Sequence, residues 1–204
     1  MRRTKEEAAA TRELLLNTAL TVFGSKGYAT TTLDDIARAA GVTRGAIYWH
    51  FGGKDELYNA LVRERFARAS TVFESIFSQG GSPLQMLRQF MIRFLEYLED
   101  DPAYRAVLEL TIFKTEVGPD LASGMQEKQQ ANQAMIASLE RLLHEAISAG
   151  EVKPDTDITT AALAIMGFLS GITTLWLQNP SSFSLKSRAC NLVDTFLNGL
   201  VTSS

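Results

Sequence analysis

The chain has 204 residues, 46% of them apolar, a formal net charge of −3 and a single cysteine, Cys190. That length and apolar content allow one large domain, or a small one beside a medium one, and exclude a disordered chain. The charge excludes a protein that coats nucleic acid with its whole surface, one cysteine excludes an intrachain disulfide, and an N-terminus with no apolar run behind its basic residues leads us to expect a cytoplasmic protein.

Charge is unevenly spread. Residues 1–62 carry eight Lys and Arg against seven Asp and Glu, the remainder twelve against sixteen, and Arg2, Arg3 and Lys5 precede any acid. A mildly basic first third suits an end that meets a polyanion, and a solvated N-terminal tail nearly as well.

Apolar residues recur at helical spacing almost throughout, without convincing strand alternation, so the expected fold is all-α with about nine helices. Leu16, Ala19, Leu20 and Phe23 mark a first helix over about 5–26, ended by Gly27. Thr32 with Asp35 is a capping-box variant opening a short second helix through Ile36, Ala37 and Ala40, and Gly41 ends it. Thr43 caps a third helix to about Phe51; Gly52 and Gly53 then break the chain before a long fourth helix over about 54–78. Breaks at 80–83, 100–102, at Gly118 and Pro119, at 150–154 and 179–180 delimit the rest.

Two short helices joined at Gly41, with the small Ala37 at their crossing and Ile47 as apolar anchor, make a helix-turn-helix. The second of them buries Ala46, Ile47 and Phe51 and turns Arg44, Gly45, Tyr48, Trp49 and His50 toward a DNA major groove. Arg44 can fork onto guanine O6 and N7, a contact worth roughly 1 to 3 kcal/mol of discrimination. Gly45 costs about 1 kcal/mol of helix propensity, a cost that close approach of backbone to DNA explains. Tyr48 and His50 bring donors for phosphate; Trp49 brings an N–H and apolar bulk for a sugar or a thymine methyl. Thr31, Thr32 and Thr43 stand at helix starts that suit phosphate. Lys54 is a cation at a helix N-terminus, an unfavourable position that a phosphate would relieve. The plainer alternatives are Trp49 packing on the fourth helix, His50 as a structural residue, and Arg44 and Lys54 as solvated charges.

The stretch TTLDDIARAAGVTRGAIYWHFGGKDELYNAL resembles the DNA-binding segment of the TetR family of bacterial transcriptional repressors. The match covers about residues 11–62, at Phe23, Gly27, Thr32, Ile36, Ala37, Gly41, Val42, Ile47, Tyr48, Phe51, Lys54 and Leu57. RGAIYWHF is similar to the subgroup that controls multidrug efflux pumps, as is the shorter GITTLWLQNP at 171–180. The resemblance implies an N-terminal three-helix DNA-binding domain, residues 1–53, and a C-terminal helical ligand-binding and dimerisation domain, residues 54–204. It further implies a homodimer that represses from a pseudo-palindromic double-stranded operator and is released by a small apolar or amphipathic inducer. The rival is a DNA-binding regulator or architectural protein controlled by a partner protein, with no small-molecule ligand.

Phe66, Phe73, Phe77, Met86, Phe90, Met91, Phe94, Phe113, Met125 and Met135 fall at helical spacing on helices four to seven. Such a stripe is ordinarily core, but Phe and Met also line pockets that take varied apolar molecules. Glu109, Gln129 and Gln133 are the polar candidates there. Residues 158–177 then run uncharged, with Gly167 and Gly171 at small-xxx-small spacing. A membrane span is the rival reading, opposed by Thr159, Thr160, Ser170, Thr173 and Thr174 and by the lack of a flanking basic cluster. A helix buried on most sides, which with Leu192 and Phe196 of a ninth helix builds a four-helix bundle across a two-fold axis, is preferred. No membrane partner is expected. Catalysis has little to build on: the histidines are His50 and His144, and no G-x-S-x-G, phosphate loop, H-E-x-x-H or C-x-x-C occurs. We therefore expect no enzyme, cofactor or metal.

Overall fold

The computed structural model describes residues 5–78, 80–115 and 121–200; Arg2, Arg3, Gly118 and Pro119 lie outside them. The described residues form α1 (Lys5–Lys26), α2 (Leu33–Ala40), α3 (Arg44–Phe51), α4 (Lys54–Ser78), α5 (Pro83–Asp100), α6 (Pro102–Phe113), α7 (Ala122–Ser148), α8 (Ile158–Gln178) and α9 (Leu185–Leu197). The chain gathers into two compact units, residues 1–68 with 103–125 and residues 69–102 with 126–204.

In the first unit the apolar stripe of α1, Leu15, Leu16, Ala19 and Phe23, is buried with Ile36 of α2, Ile47 of α3, Leu57 and Leu61 of α4, and Val107 and Leu110 of α6. Phe23, Tyr28 and Tyr58 close a three-ring cluster, with centroids 5.6, 5.7 and 5.0 Å apart. α1 is also braced to α4 by charge. Arg65, only 5% exposed, donates to Glu13 at 3.1 Å and to Asn17 at 2.5 Å, Arg68 reaches the other Glu13 oxygen at 3.0 Å, and Arg12 pairs with Glu64. Burying a guanidinium is tolerable only because those acceptors meet it.

In the second unit α5 lies along α9, burying Leu87, Met91, Leu95 and Leu98 together with Leu185, Ala189, Val193 and Leu197. A bidentate pair, Arg88 to Asp194 at 2.6 and 2.8 Å, ties the two helices, and Glu151 accepts from the Leu84 amide at 3.0 Å in the first turn of α5. The α8 helix is long and apolar enough to cross a membrane. It is not buried on most sides within one chain: Ala162, Ile165, Leu169, Thr173 and Trp176 are covered, while Leu163 and Leu175 stand 53% and 57% exposed. Gly167 and Gly171 lie on that uncovered side, and among the described residues nothing beyond their own helix backbone and chain neighbours comes within 4 Å of a Cβ placed on either.

Candidate nucleic-acid interface

Local chemistry sets the helix-turn-helix. The Thr32 hydroxyl accepts from the Asp35 amide at 3.1 Å, and the Asp35 carboxylate accepts from the Thr32 amide at 3.1 Å. This reciprocal cap starts α2 where the sequence places it. Gly41, at φ +66°, turns the chain in a left-handed conformation that suits glycine, and Thr43 accepts from the Ala46 amide at 3.3 Å to open α3.

Ile47 and Phe51 anchor α3 in the core and Ala46 is half-buried, which leaves Arg44, Gly45, Tyr48 and Trp49 on the outside. Trp49 is 72% exposed and Tyr48 46%. Trp49 therefore does not pack as a core residue. His50 is half-buried, its ring edge-on to Trp49 at 4.4 Å and 6.0 Å from Phe51, so it supports the exposed indole more than it presents itself. Nothing inside the protein asks for glycine at 45, because a Cβ there would have the Thr43 hydroxyl, at 3.7 Å, as its nearest neighbour, an ordinary contact. Arg44 donates to the Tyr48 hydroxyl at 2.9 Å, lies over the Tyr48 ring at 5.4 Å, and reaches the Asp34 carboxylate of α2 at 3.4 Å. The Tyr48 hydroxyl accepts from Arg44 and so keeps its own proton to donate elsewhere.

Three expected phosphate contacts have partners of their own within the chain. Thr31 is 1% exposed and its hydroxyl donates to the Gly27 carbonyl at 2.7 Å, so it has no face left for DNA. Thr32 has its hydroxyl and amide engaged in the α2 cap. Lys54 needs no phosphate to relieve it. Its ammonium donates to the carbonyls of Tyr28, Ala29 and Thr31 at 3.1, 3.4 and 3.2 Å and lies 4.4 Å above the Tyr28 ring. Those oxygens fill its three donor positions and hold the loop ahead of α2 in place. Lys114, just after α6, ties the end of α1 to that loop: its ammonium donates to the Gly24 carbonyl of α1 at 2.6 Å and its carbonyl accepts from the Tyr28 amide at 3.1 Å. Sequence reasoning missed Lys114 and Asp34; an acid in the first turn of α2 reads only as a dipole-matched helix start.

The apolar candidates divide between the units. In the second, Phe73 meets Phe90 at 5.7 Å and Phe94 at 5.8 Å, and Phe77 lies 6.1 Å from Phe90 with its side exposed. Met86 and Met135 are half-buried, Met91 is buried, and Gln129 and Gln133 are exposed. In the first, Phe66 packs edge-on to Tyr104 at 5.8 Å, Glu109 is half-buried, and Phe113 and Met125 are exposed. On the bare side of α8, Phe168 stacks on Phe196 at 4.6 Å beside a groove of about 350 Å³ that Leu192 and Arg188 help to line.

Residues 15–61 match the model of the bacterial regulatory proteins of the tetR family, and residues 82–202 that of the C-terminal region of MAATS-type transcriptional repressors. The HTH-type transcriptional regulator AcrR of Shigella flexneri is 34% identical over 199 residues, 96% of this chain and 92% of the relative. Among solved structures, NalD, the secondary repressor of the MexAB-OprM multidrug efflux pump in Pseudomonas aeruginosa, superposes with a TM-score of 0.85 at 27% identity, covering 97% of this chain and 98% of that one. The complex of SmeT with triclosan, SmeT being the repressor of the Stenotrophomonas maltophilia pump SmeDEF, gives 0.80 at 28% identity, with 96% and 93% covered.

Proposed function

The chain belongs to the TetR family of bacterial regulatory proteins, and from that premise we propose a ligand-responsive repressor of an efflux-pump operon, acting in the cytoplasm as a homodimer. The observation that carries the DNA half is α3 itself. A short helix anchored by Ile47 and Phe51 leaves an arginine, a tyrosine and a largely bare tryptophan on one side, with a glycine between them that no internal contact requires. Residues 1–53 serve as the reading head, with Arg44 on a base edge, Tyr48 on phosphate, Trp49 on sugar or methyl, and Thr43, Gly45 and His50 shaping the approach.

Dimerisation is assigned to the uncovered side of α8, with Gly167 and Gly171, and to Leu192 and Phe196 of α9. A bare apolar helix of this size on a water-soluble regulator is covered by a second copy at low cost, since glycines let backbones approach. Two α3 helices then meet successive major grooves about 34 Å apart. The inducer is a small apolar or amphipathic molecule, and Phe73, Phe77, Phe90 and Phe94 are its proposed contacts; Phe77 keeps an exposed side on an otherwise closed aromatic cluster. The relative solved with triclosan supports a ligand of that chemistry. An inducer that favours a dimer with the wrong α3 spacing by about 1 to 3 kcal/mol lowers operator occupancy enough to relieve repression.

Fluorescence anisotropy of a labelled fragment from upstream of this protein's gene, at two salt concentrations with and without triclosan and related apolar amphiphiles, tests both halves. Tight, salt-sensitive binding that a compound reverses is expected. Binding that no compound reverses would favour a partner-controlled regulator, and none at all would remove the operator from that fragment.

A further inference from the structure

We propose that Asp34 is a specificity-determining residue: its carboxylate restrains Arg44 from pairing with phosphates of arbitrary DNA and so widens the gap between operator and non-operator binding. The proposal rests on the DNA-reading role of α3. Arg44 lies in the first turn of α3, and three contacts define its position: the Tyr48 hydroxyl at 2.9 Å, the Tyr48 ring at 5.4 Å, and Asp34 of α2 at 3.4 Å. Each side chain of the ion pair is more than half exposed, so the pair contributes little to folding. An acid whose ion pair adds little to folding, next to the base-reading cation on the face that approaches a polyanion, costs DNA affinity.

That cost is not equal for all DNA. An unrestrained arginine on a flexible stem settles on whichever phosphate is nearest, a contact every sequence offers. Beside Asp34, a phosphate bonded to Arg44 comes within about one ion-pair length of a second negative charge, and two like charges at that separation repel even in water. A guanine edge carries only partial charge at O6 and N7 and meets far less repulsion, while the stacking and hydrogen bond from Tyr48 keep the guanidinium plane set for a forked contact. Penalising the wrong contact more than the right one is how a repulsive group raises specificity.

The test uses the full-length protein and two duplexes: one selected by the wild-type protein from a random pool, and a scrambled duplex of equal length and composition. Asp34→Asn should tighten binding to the scrambled duplex about three- to tenfold, while affinity for the selected duplex changes less than twofold, so the ratio falls. The salt dependence on the scrambled duplex should steepen by about one counterion per half-site. Asp34→Glu, which keeps the charge, should hold the wild-type ratio, and Asp34→Asn in an Arg44→Ala background should leave the ratio of that background unchanged. Equal tightening on both duplexes, or a lowered ratio that persists without Arg44, would overturn the proposal while leaving DNA reading intact. A pool that yields no preferred sequence would remove the premise and the proposal together. Circular-dichroism melting of each variant identifies any that has lost its fold, and Asp34→Ser then replaces Asp34→Asn.

Discussion

Lys54 shows how one side chain's neighbours decide its use. Its ammonium satisfies three carbonyls of the loop at 28–31, two of them part-buried, so Lys54→Ala is expected to lower the stability of the first unit by about 1 kcal/mol, the cost of leaving the Tyr28 and Thr31 acceptors short of a donor. Thermal unfolding checks this, and the salt slope of DNA binding measured on folded protein should not flatten. Gly45 makes the opposite case. Gly45→Ala meets nothing closer than 3.7 Å and should gain up to about 1 kcal/mol of helix stability. The same variant should bind operator DNA more weakly, because the added methyl stands where we propose that backbone meets the groove. A melting rise with unchanged operator affinity would place the backbone approach elsewhere on α3. His50 and Thr31 were legible as residues of the motif but not in their roles, since burial at 1% or at the middle of the range depends on what other helices place beside them.

At the scale of the element, caps and covered faces govern. The Asp35 carboxyl is held well below the ordinary range by the Lys26 ammonium, 2.8 Å away, and then by the Thr32 amide and hydroxyl. A depressed carboxyl means the unfolded chain binds more protons, so its stabilisation is complete above the ordinary carboxylate range near pH 4 and is lost as pH falls below it. Asp35→Asn should be less stable than wild type at neutral pH, and acid titration of its melting temperature should show a smaller loss. On α8 the reverse problem arises: Thr173 is buried and its hydroxyl has no hydrogen-bond partner among the described residues. Thr173→Val keeps the shape and removes the cost, and calorimetry should find it more stable by about 1 kcal/mol. The starts of α2 and α3 were readable from Thr32, Asp35, Gly41 and Thr43 because capping acts within four residues. The side of α8 left bare was not, since twenty uncharged positions look alike until α5 takes one face.

For the molecule as a whole, the uncovered side of α8 is the face we propose to join two chains into a DNA-reading dimer. Gly171→Leu fits a single chain, since among the described residues nothing beyond its own helix backbone and chain neighbours lies within 4 Å of the new Cβ, and it raises helix propensity. It should therefore leave the monomer folded while weakening dimerisation at least tenfold by sedimentation, and operator affinity should fall with it because one head alone spans half a site. A folded, dimeric Gly171→Leu with full operator affinity would move the interface away from this face.

Composition and local spacing alone determined that this chain is helical, where its short helices begin and end, and which side chains α3 turns outward, because periodicity, capping and turn conformation are effects of near neighbours along the chain. Tertiary structure decided which of those side chains remain available. Lys54 meets carbonyls 23 to 26 residues away, Arg44 meets an acid 10 residues away, and Lys114 meets a carbonyl 90 residues away. Partners so distant in sequence come together only after apolar burial has fixed how the helices pack, and no pattern read along the chain encodes that arrangement.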